Sequence, residues 1–157
     1  MLGKLTRWLR LLGNNVEYSS ELDDAQLIKV AKRERRILLT RDLELYQQAI
    51  AKGISSFYLD GKTEAENLSQ LAKRFNITLE IDMAKSRCTK CNVRVRLIPK
   101  EKVADKIERK TFSYYSEFWE CPKCGQIYWQ GAHWARIRKT LEVARENLNF
   151  KQKKVVS

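Results

Sequence analysis

Four cysteines in two CxxC pairs are the residues of this chain with the clearest chemistry. Cys88 and Cys91 form the first pair, Cys121 and Cys124 form the second, and together they account for every cysteine in the sequence. Two such pairs are the ligand set of a structural zinc site, in which four thiolates complete a tetrahedron and leave no position open for catalysis. A disulfide framework or a thioredoxin-type redox pair fits this spacing less well. The sequence therefore predicts one structural Zn²⁺.

Three aspartates are a second set of side chains that could carry chemistry. Asp23 and Asp24 open a predicted helix, and Asp42 follows an apolar run at 37–40. Carboxylates at the carboxyl edge of a parallel sheet can hold Mg²⁺ or Mn²⁺, which activate water for phosphodiester cleavage. The same residues are also favoured helix N-caps. The pattern alone leaves both interpretations open.

The elements that must position these aspartates alternate between helix and strand. Helical periodicity predicts helices over 2–12, 23–36, 43–52 and 64–75, and short apolar runs predict strands over 15–18, 37–40 and 55–59. Alternation at this spacing implies right-handed βαβ units in a three-layer α/β fold with a parallel sheet. The sequence has no GxGxxG motif, so a dinucleotide site is not indicated. No small-molecule cofactor is predicted.

Charge is distributed unevenly along the 157 residues, whose formal net charge is +12. Residues 1–82 carry 13 Lys and Arg against 12 Asp and Glu, whereas residues 83–157 carry 18 against 7, an excess of +11. Such an excess is typical of proteins that neutralise nucleic-acid phosphates. No apolar run approaches the roughly 20 residues that span a bilayer, which predicts a cytoplasmic protein with no membrane partner.

Aromatic side chains are concentrated in the same basic half. Aromatic rings among cations can stack on unpaired bases, but a small ribbon also needs them for packing. Trp119 and Trp129, which flank the second cysteine pair, are predicted to pack. The residues after 132 have the spacing of a basic helix. Eight of the fifteen aromatics of the chain lie between residues 112 and 134: Phe112, Tyr114, Tyr115, Phe118, Trp119, Tyr128, Trp129 and Trp134.

Five blocks of sequence, in order, resemble a known family. They are MLGKLTRWLRLLG, DD, RRILLTRD, SRCTKC and FWECPKCGQIYWQGAHW, and they resemble the Mut-seven C-terminal RNase domain family from residue 1 to about residue 137. The resemblance implies a PIN-like nuclease fold with a zinc ribbon. It assigns an acidic, metal-holding site to Asp23 or Asp24 and to Asp42, with Lys4 and Arg41 as phosphate contacts.

The resemblance also implies a division of the chain and one departure from the family. We expect a PIN-like α/β domain at 1–82, a zinc ribbon at 83–131, and a basic C-terminal helix and tail at 132–157. Family members usually have a strand ending in an Asp before the MLGKL-type helix, and this sequence begins at that helix. We therefore expect a sheet that lacks its usual first strand and a degenerate nuclease site, unless the recorded start is too late.

The predicted function is that of an RNA-binding zinc-ribbon protein with a degenerate PIN-like nuclease site. Structured RNA and ribosomal proteins, in the ribosome or another ribonucleoprotein, are the predicted partners. The alternative is an active endoribonuclease dependent on Mg²⁺ or Mn²⁺. The predicted RNA contacts are basic residues of both halves: Lys4, Arg7, Arg41, Arg87, Lys90, Arg94, Arg96, Lys100, Arg136, Arg138 and Lys139.

Overall fold

The first half of the chain begins with two consecutive helices and then alternates between strand and helix, so the predicted alternation holds from residue 24 onward. The structure, a computed structural model, describes the backbone of residues 2–156 and the side chains of residues 2–149. The elements of the first half are α1 Leu2–Leu11, α2 Asp24–Glu34, β1 Leu38–Thr40, α3 Leu43–Ala51, β2 Ser56–Tyr58 and α4 Glu64–Phe75.

Short-range side-chain contacts set the ends of these helices. Asp23 caps α2, because its Oδ1 accepts the Gln26 N–H at 2.8 Å while the Gln26 side chain accepts the Asp23 N–H at 2.9 Å. This reciprocal capping box satisfies two backbone donors. After α1 the chain turns at Gly13, whose φ is +95°. A Cβ there would lie 3.1 Å from the Lys85 carbonyl oxygen, so glycine suits both the conformation and the space.

The parallel sheet has two strands within the described residues, fewer than the sequence predicts. β1 pairs with β2 in the register Leu38↔Ser56. The predicted strand at 15–18 is wrong, because the backbone of this segment bonds to side chains instead of to a neighbouring strand. The Val16 N–H donates to Asn92 Oδ1 at 3.1 Å, and the Val16 carbonyl accepts two bonds from the Arg10 guanidinium at 2.7 and 3.0 Å. A groove of about 640 Å³ lies between α1, α2 and β1.

The ribbon contains a small antiparallel sheet with a helical insertion. Its strands are ordered β3-β4-β5, and two small cores hold them together, one around the cysteines and Trp119 and the other around Phe118 and Val103. The elements are β3 Arg96–Ile98, a 3-10 helix Lys100–Val103, α5 Arg109–Tyr114, β4 Phe118–Glu120 and β5 Ile127–Tyr128.

The C-terminal helix, α6 Trp134–Val156, returns to the first half of the chain. Leu141 and Ala144 of α6 are buried in the same core as Leu68 and Leu71 of α4. The Arg145 guanidinium also donates to the Leu79 carbonyl at 2.6 Å. The main core is therefore built from both ends of the chain. The predicted tail at 151–154 lies at the end of α6, where the side chains are outside the described residues.

Over the residues that the structure describes, no helix has both the length and the apolar character needed to cross a bilayer.

Candidate metal centre and nucleic-acid interface

The four cysteine sulfurs converge on one point between two tight turns. All four Sγ atoms lie within 4.8 Å of one another, and the Sγ atoms of Cys88 and Cys124 are 3.7 Å apart. Zn–S bonds of about 2.3 Å give a tetrahedron whose sulfurs are about 3.8 Å apart. The cysteines are free thiols rather than disulfides. This donor set fits Zn²⁺, which would cross-link the two turns without an open coordination position.

The two turns that present the cysteines are built in the same way. In the first, the Asn92 N–H donates to the Cys88 carbonyl at 2.9 Å, and in the second the Gly125 N–H donates to the Cys121 carbonyl at 2.9 Å. Asn92 and Gly125 both have positive φ, at 65° and 79°. Glycine and asparagine tolerate this conformation better than other residues do. In the second turn the Cys124 N–H points at Cys121 Sγ, 3.5 Å away, as is expected for a thiolate.

Tyr128 lies directly against the candidate zinc ligands. Its hydroxyl lies 3.1 Å from Cys88 Sγ and accepts the Thr89 N–H at 3.1 Å. Burial and the contact with Cys88 raise the pKa of Tyr128 to about 12, so the hydroxyl keeps its proton. The sequence placed Tyr128 only among aromatics that could stack on bases. If the CPKCG turn is taken as the tip of a hairpin, Tyr128 falls opposite Trp119, as the structure has it. This register is a sequence signal that could have placed Tyr128 beside the cysteines.

The thiols affect one another's acidity strongly. Burial raises the pKa of Cys88, but hydrogen bonds from Tyr128 and from backbone N–H groups outweigh this effect and lower it to about 7. The hydrogen bond with Cys124, together with burial and nearby charge, raises the pKa of Cys91 to about 12, and burial raises the pKa of Cys121. Clustered thiolates repel one another without a counter-ion, and bound Zn²⁺ removes this penalty.

Arg10 joins the first turn of the metal centre to α1, a role that sequence reasoning missed. Its side chain is 7% exposed, and its Nη1 donates to the Thr89 carbonyl at 2.9 Å. Nearby, the Arg87 N–H donates to the Arg10 carbonyl at 2.9 Å, and Ser86 Oγ donates to the Leu11 carbonyl at 2.6 Å. No pattern in α1 marks this link to the first turn, because Thr89 lies 79 residues away.

The three aspartates lie at helix starts on the surface of the first half. Asp42 Oδ1 accepts the N–H groups of Glu44 and Leu45 at 2.9 and 3.2 Å, and so caps α3. Asp23 caps α2, and Asp24 begins it. All three side chains are exposed.

These aspartates do not form a metal-binding group in the described part of the chain, where the cysteines alone bring three or more ligand side chains together. The carboxylates therefore do not fit a three-ligand Mg²⁺ or Mn²⁺ site, and no reaction step through such an ion follows from them. Their observed interactions are those of helix caps.

Several of the predicted RNA contacts are engaged within the protein. The Arg87 side chain donates to the Asn92 carbonyl at 2.7 Å, and Lys90 Nζ donates to Gln126 Oε1 at 2.8 Å. Others form ion pairs or lie against a ring. Arg96 pairs with Glu120 at 3.3 Å, Lys139 with Glu142 at 3.9 Å, and Lys100 Nζ lies 4.8 Å from the Phe112 ring centroid.

The remaining predicted contacts are more available to a ligand. Lys4, Arg7 and the half-buried Arg41 lie in the first half. In the basic half, three exposed arginines have no ion pair or side-chain hydrogen bond among residues 2–149: Arg94, Arg136 and Arg138.

Most of the aromatics in the basic half serve packing. Phe118, Trp119 and Trp134 are buried, which confirms the prediction for Trp119. Trp129 packs against the core that contains Phe118, and its carbonyl accepts the Trp134 indole N–H at 2.9 Å. Tyr114 differs from these residues because it is almost fully exposed.

Comparison with known proteins gives a match to one family. The family model described as the Mut7-C RNAse domain matches residues 1–141. This range includes the four cysteines, the three aspartates and the start of α6. No curated protein and no solved structure matches the chain significantly.

Proposed function

This chain belongs to the Mut7-C RNAse domain family, and from this premise we propose that it is an RNA-binding protein organised around a structural zinc ribbon. The observation that carries the proposal is the charge of the basic half, residues 83–157. Residues 83–157 hold the excess of +11, and Arg94, Arg136 and Arg138 are exposed there. Unpaired guanidinium groups bind phosphate oxygens and release counterions from the nucleic acid.

We further propose that the nuclease-like edge of the sheet is degenerate. The support for this proposal is that Asp23 and Asp42 each use a carboxylate oxygen to cap their own helix. Bound RNA would then remain intact, as in a stable ribonucleoprotein. Structured RNA, such as ribosomal RNA, would suit a basic surface spread over a ribbon and a helix, and ribosomal proteins would be neighbouring partners.

The salt dependence of RNA binding tests this proposal. Each phosphate contact contributes a slope of roughly −0.7 to −0.9 in a plot of log affinity against log salt concentration. Contacts from three arginines predict a total slope of about −2 or steeper. Affinity is measured for the zinc-loaded protein with a labelled RNA between low and physiological salt. No measurable binding, or binding that is independent of salt, would overturn the proposal.

A second candidate, a metal-dependent endoribonuclease, is favoured by the RNase-domain family match. The test is incubation of the zinc-loaded protein with single-stranded and structured RNA in Mg²⁺ and in Mn²⁺. Asp42→Asn is the matched control, because Asn caps helices about as well as Asp and should leave the fold intact. We expect no cleavage by either protein. Cleavage by the wild type that is lost in Asp42→Asn would favour the enzyme.

A further inference from the structure

Tyr114, the last residue of α5, has an unusually exposed aromatic ring. It is 82% exposed, more than any other large hydrophobic side chain in the described part of the chain. Its ring meets that of Tyr115 edge-on, with the centroids 4.8 Å apart and the planes at 71°. The neighbouring ring supports Tyr114 from one side while its face stays open to solvent.

The helix that carries Tyr114 is fixed to the ribbon by its other aromatic residues. Phe112 and Tyr115 pack on the core formed by Val103 and Phe118, both of which are fully buried. The Tyr115 N–H donates to the Thr111 carbonyl at 3.1 Å and closes the end of the helix. Packing therefore accounts for two of the three rings in this segment and leaves Tyr114 without a structural use.

Two unpaired cations accompany this ring. Arg109 and Lys110 are exposed, and neither forms an ion pair with another described residue. Lys110 lies four residues before Tyr114, so the two side chains share one face of α5. Glu108 and Glu117 bound this segment, and no acidic residue lies between them. A ring and a cation side by side match the pattern of an unpaired nucleotide, which has a flat base and a charged phosphate.

We propose that Tyr114 stacks on an unpaired RNA base while Lys110 and Arg109 contact the adjacent phosphates. This inference rests on the proposed RNA-binding function and adds to it a site for single-stranded segments. Stacking needs a free base face, so a fully paired duplex cannot use Tyr114. The exposed arginines Arg94, Arg136 and Arg138 would still hold a duplex through its phosphates.

Tyr18 provides the matched control for this site. It is also an exposed tyrosine, at 48%, but it lies in the groove beside α1, and Glu17 and Glu21 are its charged neighbours in sequence. Carboxylates there oppose the approach of phosphates.

The experiment compares binding of an unstructured single-stranded RNA and of a duplex RNA of equal length by the zinc-loaded protein. We expect Tyr114→Ala to weaken binding of the single strand about 5- to 150-fold, the range of one lost base stack, and to leave duplex binding unchanged. Tyr114→Trp, which keeps a stacking face, should bind the single strand like the wild type. Tyr18→Ala should bind both RNAs normally.

Two outcomes would overturn the site, and they are separable from failure of the general function. If the wild type binds RNA and Tyr114→Ala binds the single strand equally well, Tyr114 does not stack and the site alone is wrong. Equal losses on both RNAs would also exclude base stacking. If the wild type binds neither RNA, the proposed RNA-binding function fails together with the site.

Discussion

The cysteine ribbon and the helix starts of the first half both contain side chains of types that can bind metals, but these side chains make different contacts. In the ribbon, Cys88 and Cys124 are 36 residues apart in sequence, yet their sulfurs lie 3.7 Å apart. At the starts of α2 and α3, Asp23 and Asp42 each bond to backbone N–H groups two or three residues further along. The cysteines come together from distant parts of the sequence, whereas the aspartates bond to backbone groups close to them in sequence.

This difference shows when a pattern of residue types predicts a metal site. Cysteine is not a common helix cap, and four cysteines in two CxxC pairs are the ligand set of a structural zinc site. An aspartate before a helix has a local use, worth about 1 kcal/mol as an N-cap. Spacing is therefore strong support for zinc at the cysteines and weak support for Mg²⁺ at the aspartates.

The largest expected effect is loss of the zinc ligand Cys121. Structural zinc binds zinc-finger peptides with an apparent free energy of about 10–16 kcal/mol, and most of it is coupled to folding. We expect Cys121→Ser to lose its zinc and the antiparallel sheet of the ribbon, while α1–α4 remain folded around Leu68. Elemental analysis measures the zinc, and amide hydrogen exchange locates the unfolded region.

Asp42→Asn is the matched change in the other region, and it should keep one zinc per chain and a protected ribbon. Retention of a full equivalent of zinc by Cys121→Ser would contradict the assignment of the cysteines as zinc ligands. Purification of the native protein without zinc would also contradict it.

A smaller effect is expected at Tyr128, whose hydroxyl contacts Cys88 Sγ. Partners of metal ligands typically contribute 10- to 100-fold in metal affinity. We expect Tyr128→Phe to weaken zinc binding by about that factor, as measured by competition with a chelator. The hydroxyl helps to lower the pKa of Cys88 to about 7. Without it the thiol holds its proton to higher pH, so the loss should grow as the pH falls.

Tyr46→Phe is the control for this change, because the Tyr46 ring packs beside Tyr58 in the first half, with the centroids 6.1 Å apart. Its zinc affinity should equal that of the wild type at every pH. Equal zinc affinities for Tyr128→Phe and the wild type would show that the hydroxyl contact does not support the metal.

The smallest effect is expected at the sheet edge. Asp42→Ala removes the acceptor for two N–H groups of α3 and should lower the free energy of unfolding by roughly 0.5–2 kcal/mol. Asp42→Asn should change it little. Urea unfolding, with and without Mg²⁺, measures both. Stabilisation of the wild type by Mg²⁺ that disappears in Asp42→Asn would instead identify Asp42 as a metal ligand.

Local sequence signals predicted much of the fold. The helical period and the capping residues gave α2 and α4, and α4 begins and ends where predicted, at Glu64 and Phe75. The CxxC spacing predicted which sulfurs would meet. The helix ends are set by contacts within about four residues. The cysteine pairs have a spacing that is typical of zinc ligands.

The features that sequence reasoning missed depend on distant partners. Residues 15–18 are not a strand because Asn92, more than 70 residues away, takes the Val16 N–H. The buried Arg10 guanidinium bonds to the distant Thr89 carbonyl as well as to the nearby Val16 carbonyl. The apolar spacing of α6 predicted a helix, but it did not show that Leu141 would pack with α4 at the other end of the chain.

The most direct test of the proposed function is a comparison of RNA binding by two triple charge reversals. One changes the exposed arginines of the basic half, R94E/R136E/R138E, and the other changes exposed lysines of α2 and α4, K29E/K32E/K73E. Both variants alter the net charge by the same amount, and neither set forms an ion pair among the described residues. Affinity is measured for the same RNA at the same salt concentration.

If RNA contacts lie on the basic half, R94E/R136E/R138E weakens binding about tenfold or more and makes the salt slope shallower by about 2. K29E/K32E/K73E then shows only the small uniform loss expected from net charge. Equal losses from the two variants, or a larger loss from the lysine variant, would contradict an RNA-binding surface on the basic half.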